Sequence, residues 1–200
     1  PSVRIKIIGS FSDYWSSRNK RLRENVERHC RRITTSLSPL SFRWIRDQDS
    51  ILTAIDIHAN LEQMGWKGIK KTAISVQNGQ VLLYKSVLKE FSLKDEACVG
   101  QLISGEEIIA SQLAILHKGK LLLLKTTFDS RYAEFGPGRL MQMFLLHNVY
   151  DRRDINSIEF CTTASHEDQK WADDLVLIDT ANFYRYVTLR KIVNILRAFK

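Results

Sequence analysis

The fold is decided by residues 97–139, whose sequence is ACVGQLISGEEIIASQLAILHKGKLLLLKTTFDSRYAEFGPGR. Three apolar runs in this segment, Ala97–Ile103, Ile108–Leu116 and Leu121–Thr127, have the length and composition of strands. The connections between them are short, and each contains one glycine. Because connections this short force neighbouring strands to pair antiparallel, the segment predicts an antiparallel sheet of three strands.

The turn after the third strand leads into a helix. It has the sequence Gly136-Pro137-Gly138-Arg139, and proline suits the first turn of a helix. Apolar residues then recur at helical spacing at Leu140, Met143, Phe144 and Val149. Residues 157–160 predict a strand parallel to the third one, because a helix connects the two. The expected fold is therefore mixed α/β, with a central, mostly antiparallel sheet flanked by helices.

Periodicity predicts further elements on both sides of this segment. Strands are expected at residues 3–8, 42–45 and 175–178, and helices at residues 11–33, 51–64 and 79–91. Residues 184–199 end the chain with apolar residues among Arg and Lys. The length of 200 residues fits a single domain. We divide it into a basic helical lead-in, residues 1–46, and a core, residues 47–200. We expect the chain to be the C-terminal half of a longer protein.

The positive charge is concentrated in the lead-in. The formal net charge is +8, and residues 1–46 contain eleven Lys and Arg against three acidic residues, so the remainder is balanced. Arg21, Arg28 and Arg32 share one face of the predicted helix. A basic segment attracts a polyanion, which could be a nucleic acid, an acidic membrane surface, a phosphorylated cofactor or an acidic polysaccharide. Charge alone does not choose among these partners.

Composition argues against a membrane protein and against a metal protein. No apolar run is longer than four residues, as in Leu121–Leu124, which is far shorter than the ~20 residues that cross a bilayer. The three cysteines, Cys30, Cys98 and Cys161, are far apart and lack the spacing of a zinc site or a disulfide scaffold. We therefore expect a protein with no transmembrane segment and no metal, located in the cytoplasm. The oligomeric state cannot be read from the sequence.

The turn Gly136-Pro137-Gly138-Arg139 is the sharpest candidate site. Two glycines let a ligand approach the backbone, the helix start offers unpaired N–H groups, and a guanidinium binds phosphate, so the motif can hold a pyrophosphate. The alternative is a loop that needs glycine for its backbone geometry, with an arginine that faces water.

Two further polar motifs are candidates for substrate contacts. The loop Gly65-Trp66-Lys67-Gly68 combines an aromatic ring with a cation, which suits a sugar, a nucleotide or a pantetheine chain, although a lone tryptophan more often lies in the core. Residues 166–171 bring an imidazole, two carboxylates and an amine together beside Glu159. They could supply a general base, although a solvated helix start has the same composition.

Read together, these segments resemble the GNAT acetyltransferases, in the branch related to the cellulose-biosynthesis protein CelD and to the FemAB-type peptidoglycan aminoacyltransferases. The resemblance covers most of the chain. It rests on residues 18–25, Trp66-Lys67-Gly68, residues 71–73, the strand pair 108–127, residues 128–139 and Lys170-Trp171. Ala133 stands where the family pattern has Gln or Arg, and Glu159 and Gln169 stand where relatives have Asp and Tyr.

The resemblance implies a GNAT fold that binds acyl-CoA as co-substrate. The pyrophosphate would lie over residues 136–139, and the thioester would lie between the strand that ends near Thr127 and the strand that begins near Ser157. Donor contacts are then expected from Thr126, Thr127, Gly136, Pro137, Gly138 and Arg139. Proton acceptors are expected at Glu159 and His166, and acceptor contacts at Trp66, Lys67, Tyr132 and Lys170.

Three functions stay open at this point. The leading hypothesis is an acyl-CoA-dependent N- or O-acyltransferase with a small-molecule or saccharide acceptor, acting in polysaccharide or cell-envelope biosynthesis. The first alternative keeps the fold but takes aminoacyl-tRNA as donor, which would explain the basic helix. The second alternative is a non-catalytic module whose basic helix docks onto an acidic partner or membrane surface.

Overall fold

A single mixed sheet lies at the centre of the fold. The computed structural model describes residues 1–179 except 66, 67, 69, 71, 72 and 76. These residues form seven strands, β1 Ser2–Lys6, β2 Leu40–Ile45, β3 Ala97–Ser104, β4 Glu107–His117, β5 Lys120–Phe128, β6 Ser157–Glu159 and β7 Asp174–Val176, in the order β2-β3-β4-β5-β6-β1-β7. They also form the helices α1 Phe11–Ser17, α2 Lys20–Ser36, α3 Gln48–Met64, α4 Gln80–Ser92, α5 Pro137–Tyr150 and α6 His166–Gln169, and a 3-10 helix, Ser130–Phe135.

The antiparallel meander of β3, β4 and β5 is confirmed. Ser104 pairs with Glu107 and His117 pairs with Lys120, so each connection is a loop of two residues. Gly105 and Gly119 have φ angles of 62° and 74°, which glycine adopts without steric cost. Such loops match the twist of antiparallel strands and set their register. The local turn chemistry therefore produced the predicted pairing.

Helices cover both faces of the sheet, as the sequence predicts. On one face α2 and α5 pack on the sheet through buried side chains that include Val26, Ile33, Leu140 and Leu145. On the other face α3 and α4 bury Ile51, Ile55 and Leu88 against Val99 and Leu113. The interior strand β4 is buried over eight consecutive residues because both of its faces are covered. The mixed α/β fold, mostly antiparallel and flanked by helices, is confirmed.

The helix expected at residues 11–33 was wrong, because the structure divides it into α1 and α2. Arg18 has extended backbone angles, φ −74° and ψ 154°, and the side chain of Asn19 caps α2 by accepting from the Arg21 N–H group. The Arg18 guanidinium donates to the carbonyl oxygens of Trp171 and Ala172. A local cap and these distant acceptors together end the first helix at Ser17.

The parallel pairing of β5 with β6 is also confirmed, and it is short. Lys120 pairs with Ser157, and the register continues only to Leu122 with Glu159. Beyond this point β5 continues to Phe128 while β6 has ended, so the two strands separate. Residues 184–199 lie outside the described residues.

Ion pairs within the fold neutralise part of the positive charge of the lead-in. Five cations of residues 1–46 pair with acidic side chains from later in the chain: Arg4 with Glu159 at 3.0 Å, Lys6 with Asp174 at 2.8 Å, Arg18 with Asp173 at 2.7 Å, Arg32 with Glu134 at 2.8 Å and Arg46 with Asp95 at 3.1 Å. The uneven charge along the sequence therefore reflects contacts inside the fold as well as a basic surface. Of the helices described, none is long and apolar enough to cross a membrane.

Candidate functional site

A cleft opens at the point where β5 and β6 separate. Its volume is about 950 Å³, and one of its walls is formed by four consecutive residues of β5, Leu123, Leu124, Lys125 and Thr126. Successive side chains of a strand point to opposite faces, so four consecutive residues share one wall only along the edge of the strand. The main-chain N–H and C=O groups of this edge therefore face the cleft.

A β-bulge shapes this part of β5. Leu113 pairs with Lys125 and Ala114 pairs with Leu123, which leaves Leu124 as the extra residue. The buried side-chain amide of Gln112 donates to the carbonyl oxygen of Lys125 at 2.9 Å, and Gln112 also accepts from the Thr126 hydroxyl. A bulge bends its strand and increases the local twist. This distortion helps β5 to turn away from β6.

The first turn of α5 forms a second wall of the cleft. All four residues of the Gly136-Pro137-Gly138-Arg139 motif line it. Gly136 has left-handed angles, φ 62° and ψ 49°, Pro137 opens the helix, and among the described residues no side chain caps the helix start. Pro137 has no N–H group, and the Arg139 and Leu140 N–H groups donate to the Gly136 carbonyl oxygen, so the Gly138 N–H group is the donor left without a helical partner. The start of a helix also carries a partial positive charge. This wall is therefore suited to an anion.

The buried side of this turn rests on α2. A Cβ atom at Gly136 would lie 3.0 Å from Nε2 of His29, so a side chain at position 136 would displace the imidazole. Burial, helped by the nearby Arg139, Arg28 and Arg32 side chains, lowers the pKa of His29. The imidazole is therefore neutral at pH 7. Gly136 is required both for its backbone angles and for the space that His29 occupies.

The facing wall brings hydroxyl groups and aromatic rings to the cleft. It includes Phe160, Thr162, Thr163, Ser165 and Trp171. Trp171 is 3% exposed, and its carbonyl oxygen accepts a hydrogen bond of 2.7 Å from the Tyr14 hydroxyl. Aromatic rings supply apolar surface and hydroxyl groups supply hydrogen bonds, which is the usual composition of a small-molecule site.

A charged cluster lies at the rim of the cleft. Arg139 contacts the Glu167 carboxylate at 3.0 Å, and Lys170 bonds the same carboxylate. The hydrogen bond from Lys170, together with Arg139, lowers the pKa of Glu167. The carboxylate is therefore ionised at pH 7, and it neutralises part of the positive charge of this cluster.

A smaller pocket of about 300 Å³ adjoins the cleft. It lies between the first turn of α2 and the residues of α6, and it is lined by Asn19, Arg21, Leu22, Asn25, Arg139, His166, Glu167 and Lys170. Arg139 and Glu167 border both cavities. We refer to this cavity as the α2–α6 pocket.

The structure brings most of the predicted donor contacts together. Thr126, Gly136, Pro137, Gly138 and Arg139 line the cleft. Thr127 is buried and is not among the residues lining the described cleft.

The other predicted contacts lie apart from the cleft. His166 and Lys170 line the α2–α6 pocket. Glu159 pairs with Arg4 at 3.0 Å and with Lys120 at 3.5 Å. The Tyr132 hydroxyl donates to Glu107 at 2.7 Å, and this bond is the main cause that raises the pKa of Tyr132. Trp66 and Lys67 lie outside the described residues.

Sequence reasoning missed a polar cluster on the α3 side of β5. The Glu62 carboxylate is buried, accepts from the Ile74 N–H group at 2.7 Å and lies 3.4 Å from the Lys125 ammonium group. Lys125 also lines the cleft. The spacing in the sequence could have indicated this cluster, because His58 and Glu62 occur four residues apart on the buried stripe of α3.

Among the described residues, no group of three or more His, Cys, Asp or Glu side chains has the arrangement of a metal site.

Two solved structures share the fold of this chain. The fold superimposes on FemX with a TM-score of 0.62 at 8% identity, covering 96% of this chain and 56% of that one. A conserved protein of unknown function from Bacteroides thetaiotaomicron gives a TM-score of 0.56 at 13% identity, covering 80% of this chain and 49% of that one. The chain thus spans about half the length of these two proteins.

Sequence comparison gives the family itself. No curated protein matches the chain at a significant level. The Acetyltransferase (GNAT) domain family matches residues 20–170, which include the cleft wall of β5 and the start of α5. This match covers more than half of the chain, and the chain therefore belongs to the Acetyltransferase (GNAT) domain family.

Proposed function

We propose that the protein is an acyltransferase that takes an acyl group from acyl-CoA and transfers it to a nitrogen or oxygen atom of a small-molecule or saccharide acceptor. One observation carries this proposal. The uncapped, glycine-containing start of α5 and the open edge of β5 line the same cleft. This pairing suits a ligand that has a diphosphate at one end and an extended amide chain at the other.

The start of α5 fits the diphosphate. Gly136 and Gly138 carry no side chains, and a Cβ atom at Gly138 would lie 3.8 Å from the Phe128 ring, so the space beside the backbone is open. Unpaired N–H groups at a helix start bind phosphate oxygens, and a guanidinium such as that of Arg139 adds charge-assisted hydrogen bonds. Gly136, Gly138 and Arg139 would hold the diphosphate.

The edge of β5 fits the pantetheine arm and the thioester. An extended chain with amide groups can pair with an exposed strand edge, as an added strand does. Residues 123–126 would supply these main-chain bonds. A bound thioester supplies an activated acyl carbonyl. An edge N–H group near Leu124 would stabilise the negative charge that develops on the carbonyl oxygen during acyl transfer.

Proton removal from the acceptor needs a base. The sequence-based proposals Glu159 and His166 remain predictions, as do acceptor contacts from Trp66, Lys67, Tyr132 and Lys170. The geometry adds Glu62, because its carboxylate lies beside Lys125 on the α3 side of β5. This side faces away from α5, so an acceptor that approaches from it would not meet a donor on the α5 side. The Glu62 carboxylate is buried, and Lys125, which is partly exposed, lies between it and the cleft. We propose that the acceptor binds here.

A second donor is favoured by one observation. Lys20, Arg21, Arg28 and Arg31 are all exposed on α2, which gives this helix a basic outer surface. Such a surface suits an RNA backbone, so aminoacyl-tRNA is the alternative donor.

The resemblance to CelD supports a role in polysaccharide or cell-envelope biosynthesis, which we propose as the setting for either donor.

Calorimetric titration with acetyl-CoA and with a long-chain acyl-CoA tests the proposal. We expect the wild-type protein to bind, and Gly138→Asp to weaken binding by at least about a hundredfold. The reason is that the new carboxylate would meet the diphosphate, and a like-charge contact of this kind costs several kcal/mol. Binding should also raise the melting temperature of the wild-type protein.

Gly79→Asp is the matched control for this titration. It adds the same charge at the start of another helix, α4, where a Cβ atom meets nothing within 4 Å. The control should bind acyl-CoA like the wild type. A folded wild-type protein that binds neither acyl-CoA but binds RNA with a steep salt dependence would instead support the aminoacyl-tRNA donor.

A further inference from the structure

The α2–α6 pocket carries two cations that the proposed diphosphate site does not use. They are Arg21 and Lys170, and they share the lining with Arg139 and with one carboxylate, Glu167. His166 adds an imidazole to the same lining, and it can donate to an anion. These groups converge on one small cavity, which favours a compact anion.

The position of Arg21 is unfavourable for the isolated fold. It lies in the first turn of α2, where the helix dipole disfavours a cation, and this turn contains no acidic residue. Within the described part of the chain, the Arg21 guanidinium makes no ion pair. Stability of the helix therefore does not account for an arginine here, whereas an anion in the pocket would.

Arg139 connects this pocket to the cleft. Its guanidinium borders both cavities, and it follows directly after the helix start that is proposed to hold the diphosphate. A ligand whose diphosphate lies at Gly138 can therefore place a second phosphate in the neighbouring pocket. Glu167, bonded to both Arg139 and Lys170, holds these two cations in position.

We propose that the α2–α6 pocket binds the 3′-phosphate of a coenzyme A-type donor. This assignment rests on the proposed function. A phosphomonoester carries a charge of about −1.5 to −2 at pH 7 and has three acceptor oxygens, which can accept from the Arg21, Lys170 and His166 side chains that line the pocket. The assignment also places His166 and Lys170 on the donor side of the reaction, although they were predicted from sequence as base and acceptor contact.

Comparison of coenzyme A with dephospho-coenzyme A tests the assignment, because the two differ only in the 3′-phosphate. We expect the wild-type protein to bind coenzyme A about ten to a hundred times more tightly, the range for losing charge-assisted hydrogen bonds. In Arg21→Ala this ratio should fall toward one. Binding of dephospho-coenzyme A itself should be little changed by the substitution.

Arg31→Ala is the control, since it removes the same charge from the exposed surface of the same helix, outside the pocket. It should keep the wild-type ratio. If Arg21→Ala fails to fold, Lys170→Ala provides the same comparison from the other side of the pocket.

The outcomes separate the two proposals. Equal affinity of the wild type for both compounds would overturn the 3′-phosphate site and leave the proposed function intact. A preference for coenzyme A that persists in Arg21→Ala and in Lys170→Ala would also overturn the site. Binding of neither compound would overturn the donor proposed for the cleft, and the phosphate site with it.

Discussion

The two halves of β5 differ in what lies along their edges. Residues 120–122 have β4 on one edge and β6 on the other, whereas residues 123–128 keep β4 but have no pairing with β6. Leu121 is fully buried in the first half, and Thr126 is exposed in the second. None of the first three residues of β5 lines the cleft, whereas residues 123–126 and Phe128 of the second half do. Because residues 121–124 are all leucine, the sequence does not indicate where β5 loses its pairing with β6.

Two backbone features on neighbouring strands account for the difference. The bulge at Leu124, held by the side chain of Gln112, bends β5. After β6 ends at Glu159, Cys161 adopts a φ angle of 49°, a left-handed conformation that interrupts the extended strand. The separation is therefore built into both strands. A ligand that adds a strand-like chain to β5 would complete the pairing that β6 leaves unfinished.

The largest effect is expected from a pair of leucine substitutions that compares the two halves directly. Leu121→Ala should lower the free energy of unfolding by about 2–5 kcal/mol, because it leaves a cavity in a fully buried site. Leu124→Ala should cost less, about 1–2 kcal/mol, because this side chain is only partly buried. Urea unfolding of the two variants measures both values.

The losses of acyl-CoA affinity in these two variants should have the opposite order to their losses of stability. Leu124→Ala should weaken acyl-CoA binding more than Leu121→Ala does, because Leu124 lines the cleft and Leu121 does not. Equal losses of stability, or a loss of binding confined to Leu121→Ala, would mean that the two halves of β5 do not divide these roles.

Alanine at the two glycines of the cleft should give stability effects of opposite sign. Gly136→Ala should lower stability by about 1–2 kcal/mol, because its φ angle of 62° is unfavourable for alanine. Contact with His29 would add to this cost. Gly138→Ala should leave stability unchanged or raise it by up to about 1 kcal/mol, since position 138 is helical and its Cβ atom would make an ordinary contact.

Both alanine variants should nevertheless weaken acyl-CoA binding. Gly138→Ala adds a methyl group near Phe128 of β5, and Gly136→Ala disturbs the left-handed turn that begins α5. Thermal unfolding and calorimetry on the same samples separate the two effects. A stabilised Gly138→Ala variant with unchanged affinity would show that the diphosphate lies elsewhere.

The smallest effect concerns Glu167 at the rim of the cleft. Its hydrogen bond from Lys170, with the help of Arg139, lowers its pKa in the folded protein from the ordinary value of 4.5. A lowered carboxyl pKa contributes stability that is present above about pH 4.5 and is lost as the pH falls through the folded pKa. The melting-temperature difference between the wild type and Glu167→Gln should therefore shrink at acidic pH.

The size of this pH effect should be small, because the Glu167 side chain is 45% exposed and solvent screens its ion pairs. Lys170→Met is the control, since it removes the main cause of the pKa shift. When Glu167→Gln is introduced into the Lys170→Met variant, the resulting change in melting temperature should depend less on pH than it does in the wild type. An unchanged dependence would assign the effect to another group.

The elements that sequence predicts well are those decided by neighbours along the chain. The two-residue turns at Gly105 and Gly119 set the meander, and the Gly136–Arg139 motif begins α5 as expected. The break between α1 and α2 was missed because the acceptors of Arg18 lie more than 150 residues away. Contacts of this kind leave no periodic signal in the sequence.

The candidate site likewise has one part that the sequence predicts and other parts that depend on contacts between distant segments. The diphosphate motif could be predicted because its residues are contiguous and each has a recognisable chemistry. The α2–α6 pocket could not, since Arg21 and Lys170 belong to distant segments that meet only in the folded chain. Glu62 was missed for a related reason, because a buried carboxylate acquires its role only from partners such as Lys125 on another element.

By itself the sequence determined the mixed α/β architecture, the antiparallel meander, the parallel return of β6 and the glycine-containing helix start, because short turns and hydrophobic periodicity act over a few residues. Only the tertiary structure decided where β5 loses its second neighbour, which cations remain on the surface and which polar groups face the cleft. These features depend on pairing and packing between segments far apart in the chain, and their energies exist only once those segments are in contact.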